Sequence, residues 1–158
     1  MHYNLVDRVV EVVPSERIVA IKAVSRAEEY LGDHFPTFPV LPGVLMLEAM
    51  VEAARWLAWA SQDFEHSLIL LHEAKNVTYK NFVKPGQLLR VDITCRRMAH
   101  GDSEYAGAGL CEDREVVKGR FTLTHLNLQD KNQELAKVDA RLISAARSRW
   151  AELAGHNR

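Results

Sequence analysis

The chain has 158 residues, of which 47% are hydrophobic, with 20 basic and 21 acidic side chains. This length and composition fit one globular domain with at most one appendage, and they exclude disordered, collagen-like and low-complexity proteins. The net charge of -1 gives no overall field that favours nucleic acid or an anionic membrane, so neither partner is expected.

The first part of the chain predicts two strands followed by a packed loop. Residues 4–12 and 17–24 are rich in Val and Ile, and Pro14 lies in the turn between them. Residues 29–43 hold three prolines and two glycines, which prevent a regular element. Because this loop also carries apolar side chains such as Phe35, we expect it to pack on the protein.

Residues 43–61 predict a helix that is apolar almost all round. Pro42 precedes it, where a missing N–H costs nothing. A helix of this kind is buried within a larger structure. Its charged residues are Glu48, Glu52 and Arg55, whose spacing of four and then three places them on one stripe. These charges also make it too polar for a membrane span.

The second half predicts four strands and a final helix. The β-rich segments are 68–80, 87–97, 103–112 and 115–126. From Asp130 the pattern is helical again, with Asp130 and Gln133 as a capping box. The helix carries an apolar stripe that we expect to dock on its own domain or across a dimer: Leu135, Val138, Leu142, Ile143, Ala146, Trp150 and Leu153.

This order of elements predicts an α+β protein with the hot-dog architecture. Hairpin-like connections imply an antiparallel β-sheet of about six strands, curled around the central apolar helix. An extra C-terminal helix follows. We expect the hot-dog domain to span residues 1–128 and a C-terminal helical extension, packed on the domain or the dimer, to span residues 129–158.

Cysteine usage and the N-terminus predict a cytoplasmic protein. Cys95 and Cys111 form no CxxC motif, which fits a reducing compartment. The N-terminus carries Asp7 and Arg8 and lacks an apolar run, so no secretion signal is expected.

The segment from residue 33 to residue 54 holds the residue types that acid–base chemistry requires. His34 lies in the proline-fixed loop, Gly43 at the helix start, and Glu48 about a turn and a half into the helix. Each also has a structural interpretation: a satisfied loop histidine, a turn glycine, and a carboxylate paired with Arg55. Together, a base, an acid and helix N–H groups suit proton abstraction next to a carbonyl.

Other chemistry finds little support in the sequence. There is no GxSxG nucleophile motif. His66 and His72 have no acid cluster to complete a metal site, and the glycines at 107 and 109 precede no helix that would make a nucleotide loop. We therefore expect neither metal nor cofactor.

Residues 34–50, HFPTFPVLPGVLMLEAM, closely resemble the signature of the β-hydroxyacyl–acyl carrier protein dehydratases of the FabZ/FabA type. His34 and Glu48 match the catalytic pair of that family, and Pro42-Gly43 matches its helix start. The likeness covers roughly residues 4–126 and includes three outer segments: 5–9, 17–22 and 82–88.

The resemblance implies dehydration of (3R)-hydroxyacyl thioesters on acyl carrier protein to trans-2-enoyl thioesters, without metal or redox cofactor. It implies that His34 removes the α-proton, Glu48 protonates the departing hydroxyl, and the Gly43 N–H holds the thioester carbonyl. In that family the two side chains of a site come from different subunits. A homodimer or a higher oligomer is therefore implied, with the acyl chain in an apolar tunnel between protomers.

Three features depart from the family pattern. Thr37 stands where the family usually has Gly, Glu52 stands where it usually has an amide, and residues 131–154 lie beyond its usual end. Two carboxylates one helical turn apart raise the pKa of one of them, which would help Glu48 act as an acid. The interpretation we favour is that Arg55 neutralises Glu52.

Two other functions remain open at this point. One is a hot-dog acyl thioesterase, which activates water beside a carboxylate. The other is a catalytically inactive acyl-thioester-binding module of a synthase complex. A basic rim could receive an acidic carrier protein, although a solvated sheet face is the account we favour for its members: Lys80, Lys84, Arg90, Arg96 and Arg97.

Overall fold

The computed structural model describes residues 4–28, 31 and 39–155. Within them, one six-stranded antiparallel sheet packs on helix α1 (Gly43–Ser61), and helix α2 (Ala136–Ala154) follows. The strand order across the sheet is β1-β2-β4-β5-β6-β3, so β1 and β3 are its edges. The strands are β1 (Arg8–Val13), β2 (Arg17–Ala23), β3 (Leu68–Tyr79), β4 (Leu88–Met98), β5 (Asp102–Cys111) and β6 (Arg114–Leu126).

The core lies between α1 and the inner face of the sheet. Alternate residues of a strand point to the same face, and Ile18 and Ala20 of β2 lie directly opposite Ile93 and Val91 of β4. All four side chains are buried. Their apolar surface, removed from water together, fixes the register because a slip by one residue would expose the whole set.

A glycine in the central strand β5 allows α1 to lie close to the sheet. A Cβ atom on Gly107 would lie 2.6 Å from Ile93 Cδ1 and 3.3 Å from Met50 Sδ. Met50 belongs to α1 and is fully buried. The missing side chain therefore leaves the room that the helix occupies. No helix among the described residues is long and apolar enough to cross a membrane.

The chain before β1 is fastened to α1 rather than paired along its length with β2. Strand β1 begins at Arg8, four residues later than the sequence pattern predicts. The backbone N–H groups of Leu5 and Val6 donate instead to Glu52 Oε2, at 2.7 and 3.2 Å. Because these two donors are satisfied by a side chain, they are lost to the β-ladder.

The start of the C-terminal extension differs from the predicted one. The expected capping box of Asp130 and Gln133 is wrong, because Asp130 closes a box headed by Asn127 on the 3-10 turn Leu128–Asp130. A second 3-10 turn, Gln133–Leu135, precedes α2. The chain turns here because Asp139 of α2 accepts hydrogen bonds from the N–H groups of Leu128 and Gln129, both at 2.9 Å.

Helix α2 packs on its own chain, next to α1 and β1. The rings of Trp150 and Trp56 stack with centroids 5.9 Å apart. The Arg147 guanidinium lies 4.9 Å from the centre of the Phe64 ring. Leu153 is buried, whereas Leu142 of the same apolar stripe remains partly exposed. The stripe therefore serves as a packing face, with one exception.

Candidate active site

The start of α1 presents backbone N–H groups that the helix does not use. The N–H groups of Leu45 and Met46 donate to the Pro42 carbonyl, at 2.9 and 3.2 Å. Within the described residues, the N–H groups of Gly43 and Val44 make no hydrogen bond. The first turn carries no acidic residue. This end of α1 therefore carries partial positive charge and can donate hydrogen bonds to a substrate oxygen.

The loop between β3 and β4 holds this helix start in place. The Leu41 N–H donates to the Val83 carbonyl at 2.8 Å, and both residues are buried. The Tyr79 ring at the end of β3 lies over Gly43, so a Cβ atom on Gly43 would be 3.1 Å from the ring carbons. A side chain at this position would therefore need the Tyr79 ring to shift by a few tenths of an ångström, a close approach that the sequence pattern alone does not reveal.

Glu48 is the carboxylate nearest in sequence to this end of α1, and its side chain is 37% exposed. Its Oε1 atom lies 3.8 Å from Nη1 of Arg55. The Arg55 Nε–H donates to the Ile69 carbonyl of β3 at 2.6 Å. Arg55 therefore joins Glu48 to the edge strand of the sheet, and the structural pairing anticipated for Glu48 is present.

Glu52 is held by backbone donors, so the favoured interpretation that Arg55 neutralises it is wrong. Its Oε2 atom accepts the N–H groups of Leu5 and Val6, and the residue is buried. Burial raises the pKa of Glu52, against the opposing effect of these two donors and a still smaller one from Arg55. Glu52 thus anchors the N-terminal segment, and Arg55 is left to Glu48.

Replacing Glu52 by Gln is expected to change how stability depends on pH. A carboxyl whose pKa is higher in the folded than in the unfolded chain stabilises the fold at low pH, and this contribution is lost as the pH rises through the folded pKa. Glu52→Gln removes the titration but keeps an oxygen for Leu5 and Val6. As the pH rises above the usual pKa of a glutamate, about 4.3, the free energy of unfolding of wild type should therefore fall relative to that of Glu52→Gln.

Urea unfolding at several pH values measures this difference, with Glu16→Gln in the exposed β1–β2 turn as the matched control. Glu52→Leu, which leaves both N–H groups unpaired, should lower the free energy of unfolding by about 1–3 kcal/mol. If the free energy of unfolding of wild type and of Glu52→Gln depends on pH in the same way, Glu52 does not have a raised pKa in the folded chain.

A second polar cluster lies at the other end of α1. Hydrogen bonds join Ser103 Oγ to His125 Nε2 at 2.7 Å and His125 Nδ1 to Gln62 Oε1 at 2.8 Å. Burial, followed by the charge of His66, lowers the pKa of His125 to about 4. Although the order of groups resembles a nucleophile and its base, Ser103 is fully buried, so no substrate reaches it and the cluster is structural.

Two of the predicted site residues, Gly43 and Glu48, lie on α1. His34 and Thr37 lie outside the described residues. Among the residues that are described, no three His, Cys, Asp or Glu side chains form a metal-binding group. Cys95 and Cys111 form no disulfide.

The fold and the helix-start site define a hot-dog protein. Solved structures of low sequence identity share this architecture. One, the dehydratase heterocomplex ApeI:P from Xenorhabdus doucetiae, aligns with 85% of this chain and 93% of its own at a TM-score of 0.67 and 19% identity. Another is smu.793 from Streptococcus mutans with bound acetyl CoA. It aligns with 80% of this chain and 94% of its own, at a TM-score of 0.61 and 14% identity. The predicted fold class is confirmed.

The chain belongs to the family of the FabA-like domain, whose model matches residues 1–120. It is 33% identical to the 3-hydroxyacyl-acyl-carrier-protein dehydratase FabZ of Myxococcus xanthus over 140 residues, which is 87% of this chain and 90% of the relative. Identity to the FabZ dehydratase of Geobacter metallireducens is 37%, over 76% of this chain and 77% of the relative. The predicted resemblance and the predicted enzyme class, a hydro-lyase, are confirmed.

Proposed function

We propose that this enzyme dehydrates (3R)-hydroxyacyl thioesters on acyl carrier protein to trans-2-enoyl thioesters, in fatty-acid or related acyl-chain synthesis. The observation that carries the proposal is the start of α1, where the unpaired Gly43 N–H and the Glu48 carboxylate occur in a chain of the FabA-like family. The printed names of the FabZ relatives supply the 3-hydroxyacyl group and the carrier protein.

The reaction would follow from three groups. His34 takes the proton from the α-carbon, and the electron pair moves towards the thioester carbonyl. The Gly43 N–H, at the positive end of α1, stabilises the charge on the carbonyl oxygen. The double bond then forms between the α- and β-carbons as the C–O bond breaks, and Glu48 gives its proton to the departing hydroxyl. Water leaves, and this acid–base reaction uses neither a metal nor a redox cofactor.

A homodimer belongs to the proposal because β3 is an edge strand, with no further strand beside it among the described residues. Edge strands with exposed apolar side chains pair readily with a second chain. Near this edge, four large apolar side chains are substantially exposed: Leu70, Leu71, Tyr79 and Phe82. Two copies joined along β3 would bury this surface and bring the Tyr79 ring and the start of α1 close to the interface.

The proposal that acyl carrier protein is a partner is supported by the names of the relatives and not by a strong basic patch. Three of the five basic side chains considered for a rim are paired with neighbouring carboxylates. Lys80 lies 3.1 Å from Glu115, and Arg90 lies 3.0 Å from Asp92. Arg97 lies 2.9 Å from Asp102. These pairs favour the solvated-face interpretation for this part of the sheet.

The proposal treats residues 1–128 as the dehydratase-like domain and residues 129–158 as an extension. The match to the family model ends at residue 120, and the last strand ends at Leu126. The stacking of Trp150 on Trp56 supports the view that the extension covers the domain. A role in binding a separate partner is not needed to explain its apolar stripe.

Three thioesters presented on acyl carrier protein test the proposed function: (3R)-hydroxyacyl, (3S)-hydroxyacyl and saturated acyl. We expect enoyl absorbance from the (3R) substrate, little from the (3S) substrate, and no thiol release from any of them. Thiol release from the saturated substrate would instead identify a thioesterase. Binding of the thioesters without either product would identify an inactive binding module, and Glu48→Gln serves as the reduced-activity control.

A further inference from the structure

We propose that Arg55 is a positioning residue that holds the Glu48 carboxylate in its working orientation. The proposal rests on the proposed function, in which Glu48 protonates the departing hydroxyl. The Arg55 guanidinium contacts Ile69 and Glu48, and its proposed role includes no contact with the substrate. Its effect on the reaction passes through Glu48.

A hydrogen bond to the sheet fixes the position of the Arg55 guanidinium. Its Nε–H donates to the carbonyl of Ile69 at 2.6 Å, and Ile69 is buried in β3. The Arg55 side chain is only 22% exposed. A guanidinium held by a short hydrogen bond to the carbonyl of a buried residue has a defined position, unlike an arginine that extends into water.

Arg55 pairs with Glu48 and not with Glu52, because Glu52 is hydrogen-bonded to the N-terminal segment. Side chains on a helix lean towards its N-terminus, so Arg55 points back along α1. Glu52, three residues before it, is the nearer carboxylate in sequence. Its Oε2 atom is taken by the N–H groups of Leu5 and Val6, and the residue is buried. The next carboxylate along the stripe is Glu48.

Arg55 faces one oxygen of Glu48 and leaves the other for the substrate. The distance from Nη1 to Oε1 is 3.8 Å, an ion-pair separation. Within the described part of the chain, Oε2 makes no hydrogen bond and no ion pair. An acid that must meet a departing hydroxyl depends on such placement, because a misplacement of about 1 Å can cost roughly a hundredfold in rate.

Steady-state kinetics of Arg55→Met and Arg55→Lys, on the full chain with a (3R)-hydroxyacyl carrier protein, test the inference. Met keeps much of the stem but removes the charge, so kcat should fall about ten- to a hundredfold while KM changes less than threefold. Lys restores a cation and should recover at least part of the lost kcat. Arg17→Met, which removes an exposed ion pair between Arg17 of β2 and Glu11 of β1, should retain wild-type kinetics.

A double-mutant cycle separates positioning from a general loss of structure. If Arg55 acts through Glu48, Arg55→Met should lower kcat less than twofold in the Glu48→Gln background. A loss as large as in the wild-type background, or a wild-type kcat for Arg55→Met, would overturn the inference. An impaired Glu48→Gln with an unaffected Arg55→Met overturns this inference alone. A fully active Glu48→Gln overturns the inference and the role of Glu48 as the acid, whereas a wild-type chain that forms no enoyl product overturns the proposed function itself.

Discussion

Replacing His34 by Ala or Glu48 by Gln is expected to lower kcat by about 10²–10⁴-fold, the usual contribution of a general base or acid. In the proposed mechanism, Ala removes the imidazole that takes the α-proton. Gln keeps the shape of Glu48 but has no acidic proton to give to the hydroxyl. The rate of enoyl formation from a (3R)-hydroxyacyl carrier protein measures both effects.

Glu48→Gln should fold, because Gln keeps the shape of Glu and the Glu48 side chain is partly exposed. Glu48→Gln weakens a partly exposed ion pair with Arg55, which costs at most about 1 kcal/mol. Two exposed residues away from the start of α1 serve as matched controls: His100→Ala, which loses its contact with Glu65, and Glu152→Gln, which loses its contact with Arg149. Activity within threefold of wild type for either site variant would remove that residue from the mechanism.

The elements that could be predicted from sequence are those in which local signals agree with burial. The predicted helix of residues 43–61 has the same bounds as α1, because Pro42, helix-forming residues and continuous apolarity all mark it. The strands agree to within one or two residues except at the start of β1. There, Leu5 and Val6 donate to Glu52, some 46 or 47 residues away, and no local pattern reports that contact.

The site shows the same division between local and distant information. The sequence predicts Gly43 and Glu48 as site residues because they lie in one continuous motif at the start of one helix, and this assignment stays a prediction. The Tyr79 ring over Gly43 comes from another strand, so it was missed. The one hint in the sequence is that Tyr79 lies at the end of a predicted strand, just before the turn that leads to β4. The partner of Glu52 was predicted wrongly because a neighbour in sequence was preferred to donors that only the tertiary fold supplies.

The second large effect expected concerns two inactive chains that restore one another. In the proposed dimer each site takes His34 from one subunit and Glu48 from the other. A heterodimer of His34→Ala and Glu48→Gln then has one doubly impaired site and one intact site. After full subunit exchange of equal amounts, half of the dimers are mixed, so activity should recover to about a quarter of the wild-type value.

Differently tagged chains make this result decisive, because tandem purification isolates the heterodimer before the assay. The purified heterodimer should show about half the activity of the wild-type dimer, since one of its two sites is whole. A heterodimer of two differently tagged His34→Ala chains is the control and should stay inactive. If the verified His34→Ala and Glu48→Gln heterodimer is also inactive, both residues of a site belong to one chain. The exposed edge of β3 would then join subunits without completing the site.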